Sequence, residues 1–161
     1  MHEIETRAWT PEDRAWGAEQ AQRLFGGTIV ISRGRTHRPL ELDGFCAFLN
    51  GARTGLATYA ITGDECELVT LDSFVQWQGV GTALLREVER AAATAGCRRL
   101  WLITTNDNVD ALRFYQRRGF GLAAVHAGAL EHSRKLKPAI PLTGHYGIPL
   151  TDELELHKGL A

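Results

Sequence analysis

The sequence predicts an α/β (α+β) fold in which helices flank a mixed central sheet. Three consecutive extended segments, at 45–49, 54–61 and 66–71, are joined by short turns and predict an antiparallel meander. A helical pattern at 79–95 then leads to a continuous apolar segment at 100–104. This strand–helix–strand run predicts a right-handed unit whose two strands are parallel.

The composition is that of an ordinary globular protein. The chain has 161 residues, of which 44% are hydrophobic and 23% charged, and this favours one domain spanning 1–161. With 18 basic and 19 acidic residues the net charge is −1, so nucleic acid is not expected as a partner. No apolar run approaches the ~20 residues of a membrane span, so no membrane partner is expected.

The cysteines and the first residues of the chain indicate the cellular compartment in which the protein is expected. Cys46, Cys66 and Cys97 are odd in number and far apart, which favours a reducing environment and buried thiols over disulfides or a metal site. The acidic start, Met1 to Thr6, shows no secretory signal. We therefore expect a cytoplasmic protein without a metal.

The first third of the chain predicts one helix, one strand and a basic loop. Thr10 and Pro11 are typical of a helix start, and the helix is expected to end near Leu24. The β-branched segment 28–32 predicts a strand. The segment 33–38 predicts a loop that is either solvated or in contact with an acidic substrate or a coenzyme phosphate. Two tryptophans of this region either cover the core or line an acceptor pocket: Trp9 and Trp16.

The turn at Gly79 and Gly81 is the strongest functional feature. It lies between the strand at 66–71 and the start of the helix at 79–95. The first N–H groups of a helix lack internal partners and carry partial positive charge, and glycine lets an anion approach them. The turn therefore predicts a site for pyrophosphate or for the phosphates of a nucleotide.

Two common phosphate-binding motifs do not fit this turn. A dinucleotide fingerprint needs a small residue where the chain has Leu84, and an acid after the strand at 100–104, where Thr105 follows. A nucleoside triphosphate loop needs Gly-Lys-Ser/Thr, but Thr82 follows Gly81 directly. What remains is the spacing Gln76-x-x-Gly79-x-Gly81, which resembles the acetyl-coenzyme A loop of the GNAT N-acetyltransferases.

A second segment resembles the same family. Asn108 is expected to cap a helix that Gly119 ends. The segment matches the pattern Asn-x-x-Ala-x-x-Phe/Leu-Tyr-x-x-x-Gly-Phe at Asn108, Ala111, Phe114, Tyr115, Gly119 and Phe120. Two motifs in the right order, separated by the expected strand, identify the chain as a GNAT member, with the resemblance firm over about 66–126.

The resemblance implies a GNAT fold in which the fourth and fifth strands, at 66–71 and 100–104, are parallel but splay apart. It also implies that acetyl-CoA is the co-substrate, with its pantetheine arm in the gap and its pyrophosphate on the N–H groups of 78–82. The implied coenzyme-binding residues are Leu71, Ser73, Phe74, Val75, Gln76, Gln78, Gly79, Val80, Gly81, Thr82, Asn108, Ala111 and Phe114.

The resemblance also implies an acyl transfer by direct attack of an amine on the thioester. Tyr115 is expected to protonate the leaving thiolate, and a backbone N–H such as that of Ser73 to stabilise the oxyanion. Glu67, on the fourth strand, is the expected base, while Glu65 lies on the same face and stays an alternative. Exposed acids at a strand start remain the other interpretation of this pair.

The tail predicts a strand and then a short helix within 124–137, and this helix is expected to end in a solvated basic run at 134–137. The segment 138–161 repeats Ile-Pro-Leu-Thr at 140–143 and 148–151 and ends in a half-buried strand from Asp152 to Leu156. Residues 138–151 either wall the acceptor pocket, contact a second subunit, or connect to the last strand.

The acceptor is not fixed by these patterns. A primary amine of a small molecule is the first hypothesis, and a protein lysine or N-terminus is the second. A non-catalytic acyl-CoA-binding module is a third, which the retained Tyr115 disfavours. A homodimer is possible, because dimers are common among similar proteins.

Overall fold

The computed structural model of the chain describes residues 3–25, 27–75 and 78–160. The strands are β1 (Ile4–Ala8), β2 (Val30–Ser32), β3 (Arg35–His37), β4 (Asp43–Leu49), β5 (Ala52–Thr62), β6 (Glu65–Ser73), β7 (Arg99–Thr105), β8 (Gly121–His126) and β9 (Glu153–Gly159). The helices are α1 (Pro11–Phe25), α2 (Val80–Thr94), α3 (Val109–Gln116) and α4 (Ala129–Leu136). Within the described segments, none of these helices is long and apolar enough to cross a membrane.

Seven strands form one mixed sheet in the order β1-β4-β5-β6-β7-β9-β8. The antiparallel meander β4-β5-β6 is confirmed, and β7 pairs with β6 in parallel as predicted. The sequence did not predict β1, which pairs with β4. The strand predicted at 28–32 is present as β2, but it pairs with β3 in a separate two-stranded ribbon.

The ribbon replaces the loop that the sequence predicted at 33–38. Its two-residue turn places Arg33 at φ 52° and Gly34 at φ 74°. Positive φ at both central residues is the geometry of a tight hairpin turn. The sequence did not indicate it, because arginine is not among the residues typical of the first of these positions. The basic segment therefore folds as a hairpin.

The parallel pair β6 and β7 separates after three residues. Pairing joins Glu65, Cys66 and Glu67 to β7, and no pairing is found between the rest of β6 and β7 within the described residues. The splay that the family resemblance implies is thus confirmed. It leaves the backbone edge of residues 68–73 open toward the gap.

A β-bulge in β6 sets which side chains face which side of the sheet. Thr58 pairs with Thr70 but Tyr59 pairs with Leu68, so Val69 is an extra residue. Side chains alternate along a regular strand, and one inserted residue reverses the alternation. Leu68 and Leu71 therefore both pack on the core face.

The main core lies between α2 and the sheet. It includes Ala47, Ala57, Leu84, Leu85, Val88, Ala92, Leu100, Leu102 and Leu156. The helix predicted at 79–95 ends one residue early, because α2 ends at Thr94; Ala92 is buried on its core face, whereas Ala95 lies after the helix and is exposed. The other face of the sheet is covered by α1, where a Cβ on Gly17 would meet Leu56 at 3.2 Å.

The last strand buries its acids, which contradicts the half-buried pattern predicted for it. Glu153 and Glu155 are only 2% and 7% exposed, on the opposite face from the core residue Leu156. Glu153 accepts hydrogen bonds from the Arg33 backbone N–H and from the Ser133 hydroxyl, and Glu155 binds Arg99. Buried carboxylates of this kind are tolerated because they are paired.

Candidate active site

Two cavities meet where β6 and β7 separate. One, the inner cavity, has a volume of about 810 Å³ and lies among α1, the ribbon, β6, β7, α4 and the tail. The other, the helix-tip groove, has a volume of about 720 Å³ and lies between the start of α2 and α3. Both are lined by the same four residues, which are Leu71, Asn108, Ala111 and Tyr115. A ligand lying in the groove therefore has access to the inner cavity at the splay.

The groove contains the N-terminus of α2, as the sequence predicted. Gly79 is the residue before the helix and has φ 83°, a conformation that side chains rarely adopt. The first helical bond within this turn runs from the Ala83 N–H to the Gly79 carbonyl, so the N–H groups of residues 80–82 have no partner inside the helix. These donors and the helix dipole favour an anion at this position.

Gly81 is needed for a different reason from the one the sequence suggested. A Cβ on Gly81 would lie 3.3 Å from the Phe114 ring, so its absence lets α3 approach the tip of α2. Arg118 connects the same two elements. Its guanidinium lies 3.7 Å from the centroid of the Phe114 ring and donates to the Thr82 hydroxyl at 2.8 Å and 3.0 Å.

The groove carries positive charge that sequence reasoning missed. Arg113, Arg117 and Arg118 line it, against the single acid Asp110. Partial burial is the main cause that lowers the pKa of Arg118, and the positive charges of Arg117 and Arg86 add to it. The paired arginines before Gly119 were the available signal. Tyr146 also lines the groove, and its hydroxyl donates to Asp110 at 2.9 Å.

Tyr115 occupies the junction of the two cavities. It is 9% exposed and packs edge-on against Phe114 and Phe120, with ring centroids 5.1 Å and 5.4 Å away. Burial is the main cause that raises the pKa of its hydroxyl, and the charge of Asp72 adds to it. At neutral pH the hydroxyl is therefore protonated and available as a donor.

Asp72 is an acid of the splay that sequence reasoning missed. It neighbours Leu71 on β6 and, because side chains alternate, it faces away from the core into the inner cavity. Burial raises its pKa to about 6, which suits a group that accepts a proton near neutral pH. The bulge at Val69, which the sequence did not indicate, is the reason that this side chain reaches the cavity.

Glu67, the expected base, lies on the same face of β6 as Asp72, but in the part of the strand that still pairs with β7. Its carboxylate accepts a hydrogen bond from the Ser32 hydroxyl at 2.7 Å and lies 3.1 Å from the His37 Nε2 atom. It is 4% exposed, its pKa is raised by burial, and it is not among the residues that line the inner cavity. Glu65 binds Arg99 instead.

The basic run predicted as solvated is partly built into the site. Arg134 donates to the backbone carbonyls of Pro141 and Leu150, one in each copy of the Ile-Pro-Leu-Thr repeat. The two copies also pair with each other, since the Leu150 N–H donates to the Leu142 carbonyl at 2.9 Å. Lys137 lines the inner cavity and donates to the Ile29 carbonyl at 2.9 Å.

The remaining sequence-predicted residues are divided between the two cavities. The groove is lined by Ser73, Val75, Gly79, Val80, Gly81, Thr82 and Phe114. Phe74 lines the inner cavity and packs edge-on against Trp16, with centroids 5.5 Å apart. Gln78 lines neither cavity, and Gln76 lies outside the described residues. Trp9 lines the inner cavity and is 7% exposed.

The cysteines offer no nucleophile. All three are buried, and burial raises the pKa of Cys46 to about 11 and that of Cys66 to about 12. Thiols of this kind stay protonated and inert at neutral pH. Over the described segments, no group of three or more His, Cys, Asp or Glu side chains could hold a metal ion.

The family model of the GNAT acetyltransferases matches residues 1–120 of the chain. The chain belongs to the GNAT acetyltransferase family. It is 50% identical over 131 residues to YdhI, an uncharacterized protein of Bacillus subtilis (strain 168), with 81% of each chain covered.

Solved GNAT structures share the fold. A GNAT acetyltransferase from Elizabethkingia anophelis, with acetyl-CoA bound, is 21% identical with a TM-score of 0.72, and 98% of each chain is covered. An IAA acetyltransferase from Bacillus cereus ATCC 14579 is 18% identical with a TM-score of 0.74, covering 98% of this chain and 100% of that one. Likenesses at this identity establish the fold, and the GNAT chemistry of this chain rests on its own residues.

Proposed function

We propose that the protein transfers the acetyl group of acetyl-CoA to the primary amine of a small molecule. The observation that carries this proposal is the junction of the two cavities at Tyr115. One cavity offers a helix tip and arginines to a phosphorylated carrier, and the other is a separate space for an acceptor. A direct transfer needs both ligands at once, with the reacting atoms at the shared opening.

The groove suits the coenzyme in charge and in shape. Free N–H groups at residues 80–82 and three arginines favour a diphosphate. The open edge of β6 at residues 68–73 offers unpaired backbone groups to the amides of a pantetheine arm. The path from the groove to the inner cavity is marked by residues that line both spaces: Leu71, Asn108 and Ala111. The thioester would then reach Tyr115.

The chemistry proceeds in balanced steps. The acceptor arrives as an ammonium ion and loses one proton to a carboxylate. The free amine attacks the thioester carbonyl, a C–N bond forms, and the C–S bond breaks. The thiolate leaves with its electron pair and takes the proton of the Tyr115 hydroxyl. The excess proton on the new amide nitrogen returns the tyrosine to its neutral form, directly or through water.

The burial of the site keeps the proton transfer from Tyr115 to the thiolate feasible. Burial raises the pKa of Tyr115, which by itself would make it a poorer donor. The same burial disfavours the charged thiolate and so raises the pKa of its conjugate thiol as well. The two groups therefore stay matched, as the free phenol at ~10 and the free thiol at ~8.5 are in water.

Asp72 is the better placed of two candidate proton acceptors. It lines the inner cavity beside the splay, and its pKa of about 6 keeps it mostly ionised at neutral pH. Glu67, the base implied by the family resemblance, is engaged with Ser32 and His37 in the zipped part of the sheet. We assign Asp72 as the group that accepts the proton of the ammonium ion, and a comparison of variants at Asp72 and Glu67 tests this assignment.

A protein amine is the alternative acceptor, and the tail disfavours it. Tail residues form part of the wall of the inner cavity: Ala139, Ile140, Pro141 and Leu150. Their position narrows the opening that an extended peptide would need. A small molecule can enter such a cavity, whose volume lies within the ~300–1,000 Å³ of typical ligand sites. The cytoplasmic location predicted from the cysteines and the possible homodimer stay predictions.

Calorimetry and an amine-dependent thiol assay test the function. We expect acetyl-CoA to bind with micromolar affinity and thiol release to depend on an added small primary amine. Absence of coenzyme binding would end the proposal. Binding without release for any amine or peptide would favour the non-catalytic module, and faster release with lysine peptides than with small amines would favour a protein acceptor.

A further inference from the structure

The inner cavity presents two charged side chains of opposite sign. Asp72 lies on β6 at the splay, and Lys137 lies directly after α4, against the segment that leads into β2. Both line the cavity, and both are partly buried. Burial lowers the pKa of Lys137 and raises that of Asp72, so in each case the charged form is the one that the cavity disfavours.

Neither charge is neutralised by the parts of the protein that the structure describes. The hydrogen bond of Lys137 to the Ile29 carbonyl is its one contact with an acceptor there, and no carboxylate lies within 4.0 Å of its Nζ atom. Asp72 has no cationic partner in the same described segments. The six residues outside those segments include no aspartate, glutamate, lysine or arginine.

The third acidic or basic side chain that lines the cavity already has hydrogen-bond partners. Glu153 accepts from the Arg33 N–H at 3.0 Å and from the Ser133 hydroxyl at 3.3 Å. The cavity therefore has one free negative and one free positive position. A buried charge without a partner costs free energy, and a bound ligand of opposite charge removes that cost.

The cavity that both charged side chains line is otherwise mostly apolar. Its apolar lining includes Leu24, Ile29, Ile31, Leu56, Ile103 and Ile140. Apolar walls with a few polar positions are typical of a site that binds the body of a ligand by burial and orients it through its polar ends. The ligand that complements all three features has an ammonium group, an apolar body and an anionic group.

We propose that the acceptor is a zwitterionic amine, an amino-acid-like molecule with an apolar body, whose ammonium group faces Asp72 and whose carboxylate binds Lys137. The proposal rests on the proposed function, because Asp72 lies beside the thioester position only if the groove holds acetyl-CoA. It names the acceptor class, which the fold does not. Lys137 is then a specificity-determining residue that takes no part in the proton transfers.

Matched pairs of amines test the proposal on the wild-type protein. Each pair has the same carbon skeleton with and without a carboxylate: phenylalanine and phenethylamine, leucine and isopentylamine, 6-aminohexanoate and pentylamine. We expect at least one carboxylated member to exceed its partner by ~10-fold or more in kcat/KM, mainly through KM, as for a net hydrogen-bonded ion pair. Equal activity, or a preference for the amine without the carboxylate, in all three pairs would overturn the proposal.

Variants of Lys137 assign the preference to this side chain. We expect Lys137→Met to erase the preference for the carboxylate and Lys137→Arg to retain part of it. Lys135→Met is the matched control, because Lys135 is an exposed lysine in the last turn of α4, two residues before Lys137, and lines neither cavity. A preference that survives in Lys137→Met would place the carboxylate elsewhere and overturn the assignment.

Two further measurements separate the possible failures. Calorimetry with acetyl-CoA reports the groove alone, so loss of coenzyme binding in the wild type would sink the proposed function, whereas intact binding with no carboxylate preference would sink only this inference. Should Lys137→Met fail to fold, hexanoate replaces it as a probe. We expect hexanoate to inhibit competitively against the amine, and no inhibition would contradict the role of Lys137.

Discussion

Asp72 and Tyr115 line the same cavity at the point where β6 and β7 separate, and the carboxylate adds to burial in raising the pKa of the tyrosine hydroxyl. Each group thereby stays in the protonation state that an acyl transfer requires at neutral pH. Asp72 is mostly ionised and can accept a proton, and Tyr115 is neutral and can donate one.

Replacement of Tyr115 by phenylalanine tests the donor. We expect Tyr115→Phe to lower kcat by ~100-fold, the lower end of the range for a general acid, while the Kd of acetyl-CoA stays within twofold. Tyr59→Phe is the control, because Tyr59 is a partly buried tyrosine that stacks on Phe45 away from the site. Steady-state thiol release and calorimetry measure the two quantities, and normal turnover in Tyr115→Phe would refute the role of the hydroxyl.

The pH dependence of activity distinguishes Asp72 from Glu67. In the wild type we expect kcat/KM to rise as pH increases through about 6, because Asp72 accepts a proton only when ionised. Asp72→Asn should lose this rise and ~100-fold in rate. Glu67→Gln should keep the rise, with at most a moderate loss from the disturbed contact with Ser32. The opposite pattern would establish Glu67 as the base.

The substitution Asp72→Asn should also make the folded protein more stable at neutral pH. The pKa of Asp72 is raised from an ordinary 3.8 to about 6 in the folded protein, so the folded state binds more protons than the unfolded state between these values. The free energy of unfolding contributed by this group is therefore largest below pH 3.8 and is lost as pH rises toward 6. Asp72→Asn removes the loss and should raise the free energy of unfolding at pH 7 by roughly 1–3 kcal/mol.

Urea unfolding at pH 4 and at pH 7 measures this effect. The gain should appear at pH 7 and shrink at pH 4, where the wild-type carboxyl is protonated. An equal gain at both pH values would mean that the substitution acts through packing. A loss at pH 7 would mean that the carboxylate is satisfied by a partner.

The helix-tip groove can be tested with two glycines of the same helix. Gly79 has φ 83° before α2 and Gly96 has φ 86° after it, so alanine at either position should cost ~1–2 kcal/mol of stability. Only Gly79→Ala should weaken acetyl-CoA binding, by ~10-fold or more, because the strained turn displaces the N–H donors. Equal affinities in the two variants, measured by calorimetry, would move the phosphates away from this turn.

Arg118 should position the groove for the coenzyme. Arg118→Ala removes the bonds to the Thr82 hydroxyl and the stacking on Phe114. We expect the Kd of acetyl-CoA to rise by ~10-fold, with kcat changed less than KM. Arg90→Ala is the matched control, because Arg90 is exposed on α2 and its bond is to Glu87. Unchanged affinity in Arg118→Ala would limit this arginine to a structural contact.

Local patterns in the sequence were sufficient for the elements that are regular and short in range. The short turns between three extended segments predicted the meander, and the continuous apolar run of β7 predicted a strand. Asn108 caps α3 as expected, since its side chain accepts from the Ala111 N–H at 3.1 Å. In each case neighbours along the chain determine the backbone, so the sequence shows it.

The sequence by itself determined the family and the glycine turn, because these depend on residues at fixed spacing, and the splayed strand pair was implied by the resemblance to the family. Only the tertiary structure decided that Asp72 faces the cavity, because a single inserted residue, Val69, reverses the side-chain alternation of β6. It also decided that Lys137 lines the same cavity. Both positions result from contacts between segments far apart in the chain, and no local pattern of residue types reports such contacts.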